Sequence, residues 1–113
     1  MSHVTSKGII YYTDNRLEKP MASLVRQQIA AAGVPVVSVS LQPMQFGDNI
    51  VVEGEPGYVT MIRQIITALK ASQAEAVFFC EHDVLYHKSH FDFLPPEPDT
   101  YYYNLNNFRW DYP

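Results

Sequence analysis

The feature that most limits what this chain can fold into is the run Ala76-Val77-Phe78-Phe79-Cys80, which stops abruptly at Glu81-His82-Asp83. An apolar run without polar alternation, carrying aromatic and β-branched residues, predicts a strand covered on both faces, as in a parallel sheet. In extended chain, residues two apart point the same way, so Glu81 and Asp83 share a face while His82 points elsewhere. In open α/β sheets, ligands sit in the crevice beyond the carboxyl ends of the strands. Paired carboxylates there are hard oxygen ligands, suited to Mg²⁺ or Mn²⁺ carrying a phosphate. The plainer reading of an E-x-D pair is a solvated strand end that needs acids for solubility and no metal.

The 113 residues suffice for one domain, 1–113, that buries roughly two-thirds of the surface its unfolded chain would expose. Hydrophobic content of 47% with 18% charged residues is that of an ordinary soluble globular protein. A net charge of −4 gives no reason to expect nucleic acid or an anionic membrane as partner. The N-terminus, Met1-Ser2-His3-Val4-Thr5-Ser6-Lys7, has no long apolar core of a signal peptide. No apolar run approaches the roughly 20 residues of a membrane span. The single cysteine, Cys80, excludes an internal disulfide and fits a cytoplasmic location, and inside its apolar run it reads as a small core residue. The sequence stops at Tyr112-Pro113 after a polar and aromatic segment, without a closing helix, as a piece of a longer protein would.

Gly8-Ile9-Ile10-Tyr11-Tyr12-Thr13 predicts a first strand that ends in Asp14-Asn15, a turn and helix-cap pair. A helix follows from near Pro20, with Met21, Leu24, Val25, Ile29 and Ala32 at helical period and Gly33 as its stop. Val34-Pro35-Val36-Val37-Ser38-Val39-Ser40-Leu41 is the second strand, which completes a βαβ unit. Residues 42–57 form a long connection with three glycines and two prolines, in which Val51 and Val52 offer no more than a small strand. A second helix over 58–72 carries an apolar stripe of Tyr58, Ile62, Ile65, Ile66 and Leu69 and leads into the third strand, 76–80. Beyond the acids, a short helix is expected over 89–93, an extended stop at Pro95-Pro96-Glu97-Pro98, and a last strand over 101–106.

Thr13, Asp14, Asn15 and Arg16 lie on the same rim as the acids. A turn with an N-cap explains them, and so does a loop that holds a nucleotide, with Asp14 on base or ribose and Arg16 near phosphate. His87 and His90, three apart, could join Asp83 in a transition-metal site, although surface or sheet-capping histidines account for them as well. No G-x-G-x-x-G or P-loop is present, which argues against a dinucleotide enzyme or a P-loop ATPase. The aromatics between 101 and 110 could stack on a sugar ring or pack in a core or interface.

Over about residues 8–106 this pattern resembles the nucleotide-sugar half of a GT-A type glycosyltransferase, near the large family-two group. The likeness rests on the first strand with its Thr13-Asp14-Asn15 turn, the βαβ order, and the helix leading to Ala76-Val77-Phe78-Phe79-Cys80-Glu81-His82-Asp83. In that family a D-x-D element ends such a strand, and its last acid binds the Mn²⁺ or Mg²⁺ that bridges the donor's diphosphate. Glu81 and Asp83 resemble an E-x-D variant of it, with Asp83 implied as the direct ligand. Val84-Leu85-Tyr86 and His90-Phe91 are similar to the segment that follows. Two features depart from the family. Its members usually carry a base-holding acid just after the second strand, where this chain has Ser38, Ser40 and Gln42. Their acceptor region and catalytic base lie beyond the length seen here.

The resemblance implies a Rossmann-like, three-layer α/β sandwich with a mainly parallel central sheet. The implied function is metal-dependent glycosyl transfer from a nucleotide-diphosphate sugar to an acceptor, with Thr13, Asp14, Asn15 and Arg16 on the nucleotide and Glu81 and Asp83 on the metal. The rival expectations are a non-catalytic nucleotide-sugar binding module and a small metal-dependent hydrolase using Asp83, His87 and His90.

Overall fold

A computed structural model of the chain describes residues 6–16, 19–82, 84–86, 88–93, 96–97 and 100–102. Its elements are β1 (Lys7–Tyr12), α1 (Lys19–Ala30), β2 (Val36–Ser40), β3 (Asp48–Val51), α2 (Tyr58–Ala71) and β4 (Ala76–Glu81), then a 3-10 turn at Lys88–Asp92. The four strands form one sheet in the order β3-β2-β1-β4, and every neighbouring pair is parallel. This is the α/β class expected, and its order matches the first four strands of the doubly wound arrangement.

The sheet is apolar on both sides because strand residues alternate in direction. Ile9, Tyr11, Phe78 and Cys80 share one cluster with Val25 and Ile29 of α1 and with Phe91. Ile10 and Val39 share the other with Ala68 of α2. The central strand β1 is therefore buried along its whole middle, as its uninterrupted Ile-Ile-Tyr run requires. Helix α1 ends at Ala30, and the chain turns through Ala31 and Ala32 to a left-handed Gly33 at φ 70, a little beyond the helix stop its sequence predicts. Buried Cys80, fully inside the first cluster, has its thiol pushed up to about 12 by burial. It is expected to resist alkylation in the native protein and to react only under denaturing conditions; rapid native labelling would contradict the packing of β4.

Two sequence expectations need correction. The acidic pair follows the fourth strand, because the loop over 42–57 contains a genuine edge strand, β3, paired with β2 from Val37↔Asp48 to Ser40↔Val51. Its half-exposed Asp48-Asn49-Ile50-Val51 has little apolar signal, and its place is held by polar contacts. The Asn49 amide donates to Ser38 Oγ and Ser40 Oγ at 3.0 Å each, and its Oδ1 accepts the Met44 N–H at 3.1 Å.

The second correction concerns α2. Its stripe of Tyr58, Ile62, Ile66 and Leu69 is exposed, Ile65 is half-buried, and the buried positions are Thr60, Gln64 and Ala68. The small Ala68 packs against Ile10 and Val39, whose own bulk already fills that face. Gln64 donates from Nε2 to the Thr13 carbonyl at 2.9 Å, at the end of β1, where no strand partner takes it. A polar bond at the strand end thus set the rotation of the helix against the pull of its larger apolar residues. The expected last strand lies mostly outside the described residues; Tyr101 and Tyr102 are not in a strand.

Gly47, at φ 60 just before β3, is where backbone geometry is least forgiving. A Cβ there would strike the Val36 carbonyl oxygen and stand 2.8 Å from the Val36 Cβ. Gly47→Ala is expected to cost about 3 kcal/mol in denaturant unfolding, combining the left-handed penalty with the clash. Gly33→Ala is equally left-handed but has nothing within 4 Å of the new methyl, and should cost about 1 kcal/mol. Equal losses at the two sites would contradict the close approach of Gly47 to Val36.

Candidate functional site

Parallel register brings the ends of β1 and β4 level, with Tyr12 opposite Glu81. The chain leaves β1 toward α1 and β2 on one side, and returns through α2 to β4 on the other. The gap between β1 and β4 is therefore the topological switch point of the sheet, where a crevice opens at the carboxyl ends. A cleft of about 310 Å³ lies there, and Tyr12, Thr13, Asp14, Arg16, Glu81 and His82 form its strand-end side. Its other side is the start of α2, where Pro56, Gly57, Tyr58, Thr60, Met61 and Gln64 line it. This volume falls at the small end of the range for ligand sites, about 300–1,000 Å³.

Thr13 organises the strand-end side. Its N–H donates to the Val39 carbonyl at 3.1 Å, its carbonyl accepts from Gln64, and its Oγ1 accepts the Asn15 N–H at 3.0 Å. The same Oγ1 pairs with His82 Nδ1 at 2.6 Å, joining the ends of β1 and β4 by side chains. Asp14 turns its carboxylate onto Arg16, accepting from the backbone N–H at 3.0 Å and from Nε at 2.9 Å. Partial burial pushes the Asp14 carboxyl up, but these Arg16 bonds and the guanidinium charge outweigh it and hold the group below the usual aspartate value. Because Asp14 takes Nε, the guanidinium is oriented at the cleft rim, with most of its side chain in solvent. Asp14 occupies Nε, which leaves the outer nitrogens of the guanidinium able to donate to an anionic ligand.

Asn15 plays a different part from its neighbours. Its backbone is left-handed at φ 64, and its Oδ1 accepts the N–H groups of Leu41 at 2.8 Å and Gln42 at 3.0 Å. It does not line the cleft; it ties the β1 loop to the end of β2. Among the described residues α1 begins at Lys19.

Glu81 accepts the Tyr12 hydroxyl on Oε1 at 3.0 Å, and its N–H donates to the Tyr86 hydroxyl at 2.8 Å. Burial first, and the Glu81 charge second, keep the Tyr12 hydroxyl protonated far above its ordinary range. The carboxylate is thereby held at the rim by a neutral donor. Asp83 and His87 lie outside the described residues. His90 is half-buried among Phe78, Tyr86 and Phe91, with ring centroids 5.0–5.7 Å away, and burial lowers its pKa. That is the packing role expected of a sheet-capping histidine.

Sequence reasoning placed His82 away from the acids, and here the structure differs. The chain turns at His82, so the two-residue alternation of a strand lapses and the imidazole joins Glu81 in the cleft. Gln64 and the segment 56–61 were also missed as site residues. A lone Gln within an isoleucine-rich helix was the available signal for the first; the turn into α2 carries none. Ser38 and Ser40, in the C-terminal half of β2, are fully buried and bonded to Asn49, Phe46 and Gln42. They are structural residues, and neither lines the cleft. No helix among the described residues is long and apolar enough to cross a membrane. No protein-family model, curated protein or solved structure matches this chain.

Proposed function

We propose that this chain is a single nucleotide-sugar binding domain, a three-layer Rossmann-like sandwich of GT-A type, serving glycosyl transfer from a nucleotide-diphosphate sugar to an acceptor. The observation that carries the reading is the cleft at the β1–β4 switch point, with an oriented guanidinium and a carboxylate on one rim. Asp14 and Thr13 would meet the ribose of the nucleotide, and Arg16 the diphosphate. The donor chemistry fits a divalent cation: Glu81 offers hard carboxylate oxygen at the cleft, with Asp83 two residues on. Glu81 and Asp83 would hold Mn²⁺ or Mg²⁺, and the bound ion would supply positive charge to the leaving diphosphate. Tyr12 would keep the Glu81 carboxylate in place, and the Thr13–His82 bond would keep the two strand-end loops together.

Thermal unfolding against a panel of nucleoside diphosphates, with and without Mn²⁺, tests this reading. A ligand that binds only the folded form raises the midpoint by mass action. The expected result is a rise with at least one nucleoside diphosphate that is larger when Mn²⁺ is present. A flat panel would remove glycosyl transfer from consideration.

A further inference from the structure

Resting on the reading of the cleft as a nucleotide site, we infer that Tyr58 is the platform on which the nucleobase stacks. The two sides of the cleft differ in chemistry. The charged side chains Asp14, Arg16 and Glu81 all belong to the strand-end side, while the α2 side has none and presents Tyr58 and Met61 beside the neutral Thr60 and Gln64. A nucleoside diphosphate is divided in the same way, into a polyanion and a flat ring with two apolar faces. Setting the ring against the strand ends would carry it away from the exposed Tyr58 ring and strip water from the Glu81 carboxylate, whose one side-chain partner is the neutral Tyr12 hydroxyl. It would also leave the diphosphate on the side of the cleft away from Arg16. The opposite placement satisfies both ends at once.

Tyr58 suits this role because the fold makes little use of its ring, which is 76% exposed at the first position of α2. A base laid on it would take apolar surface out of water on both partners. Gly57 beside it has no atom within 4 Å of where a Cβ would stand, so a flat ring can lie close to the backbone. The platform is also anchored. The hydroxyl of buried Thr60 donates to the Glu55 carbonyl at 2.6 Å, which fixes the turn that leads into the helix. Stacking of this kind accepts any base, since every base has a π face, so purine and pyrimidine nucleotides should both respond.

Titration calorimetry with Mn²⁺ present tests the inference on the whole chain, using UDP and GDP as probes and inorganic pyrophosphate as the ring-free control. Tyr58→Ala should weaken both nucleotides about 10- to 100-fold, leave pyrophosphate within about twofold, and be rescued by Tyr58→Phe. The exposed position means that the variants should keep the parent unfolding midpoint. Nucleotide affinity unchanged in Tyr58→Ala would overturn the stacking role alone, leaving the cleft reading in place. Parallel loss of pyrophosphate would overturn it too, since a base platform does not touch the phosphates. A parent protein that binds pyrophosphate but neither nucleotide has no base platform. One that binds none of the three removes the nucleotide reading and this inference together.

Discussion

Replacing Asn49 with leucine is expected to destabilise the fold by about 3 kcal/mol, a large share of a small domain's stability. The side chain of Asn49 joins β3 to β2 through Ser38 Oγ, Ser40 Oγ and the Met44 N–H. Ser38 and Ser40 are fully buried, so an apolar substitute leaves their oxygens facing a group that cannot donate. Both hydroxyls still donate to the Phe46 and Gln42 carbonyls, so the cost comes from their lost donor and from the Met44 N–H left without its acceptor, about 1–3 kcal/mol for such a group. Leucine keeps the branched shape of asparagine but is bulkier, and the added methyl volume contributes to the loss. Urea unfolding monitored by circular dichroism should show a lower midpoint with an unchanged slope. A change below about 0.5 kcal/mol, as is usual for a surface site, would mean that the β2–β3 pairing does not depend on this network.

The other large effect falls on ligand binding. At about a hundred times its Kd, a ligand adds about 2.7 kcal/mol of stability. That increment, for a nucleoside diphosphate with Mn²⁺, should vanish in Asp83→Ala. It should shrink in Glu81→Ala, where the carboxylate that Tyr12 holds at the rim is gone. Glu81 is exposed and ends its strand, so its removal should leave the unfolding midpoint without ligand close to the parent value. The difference between ligand-free and ligand-bound midpoints therefore isolates the metal contribution. Retention of the full Mn²⁺-dependent shift in both variants would show that the cation is held elsewhere.

How much of this was legible in the chain depended on whether one physical signal dominated locally. Ile9-Ile10-Tyr11 and Ala76-Val77-Phe78-Phe79-Cys80 are apolar enough to read as strands, and their order in the chain placed Glu81 and Asp14 on one rim; β4 nevertheless lies at the edge of the four-stranded sheet, with Ala76, Phe78 and Cys80 buried and Val77 and Phe79 half-buried. Asp48-Asn49-Ile50-Val51 was weak as a strand because its place is fixed by an amide bonding to Ser38 and Ser40, which no periodicity registers. The rotation of α2 was hidden because its largest apolar residues face outward, while Thr60, Gln64 and Ala68 meet the sheet. For the site, the sequence placed Thr13, Asp14, Arg16 and Glu81 together, and the structure brings those four into one cleft. Asn15 belonged to the same motif, yet its carbonyl serves Leu41 and Gln42. His82 could not be read correctly from strand alternation, since the strand ends one residue earlier.

The central claim is that the crevice between the ends of β1 and β4 is where a nucleoside diphosphate binds. An amide NMR titration with UDP or GDP and Mg²⁺ tests it most directly. Shifts are expected to concentrate at the cleft, at Thr13, Asp14, Arg16, Tyr58, Glu81 and His82. Shifts concentrated instead at Lys7, Val36 and Ala76, which start their strands at the opposite edge of the sheet, would contradict it. So would a spectrum that neither nucleotide changes at millimolar concentration.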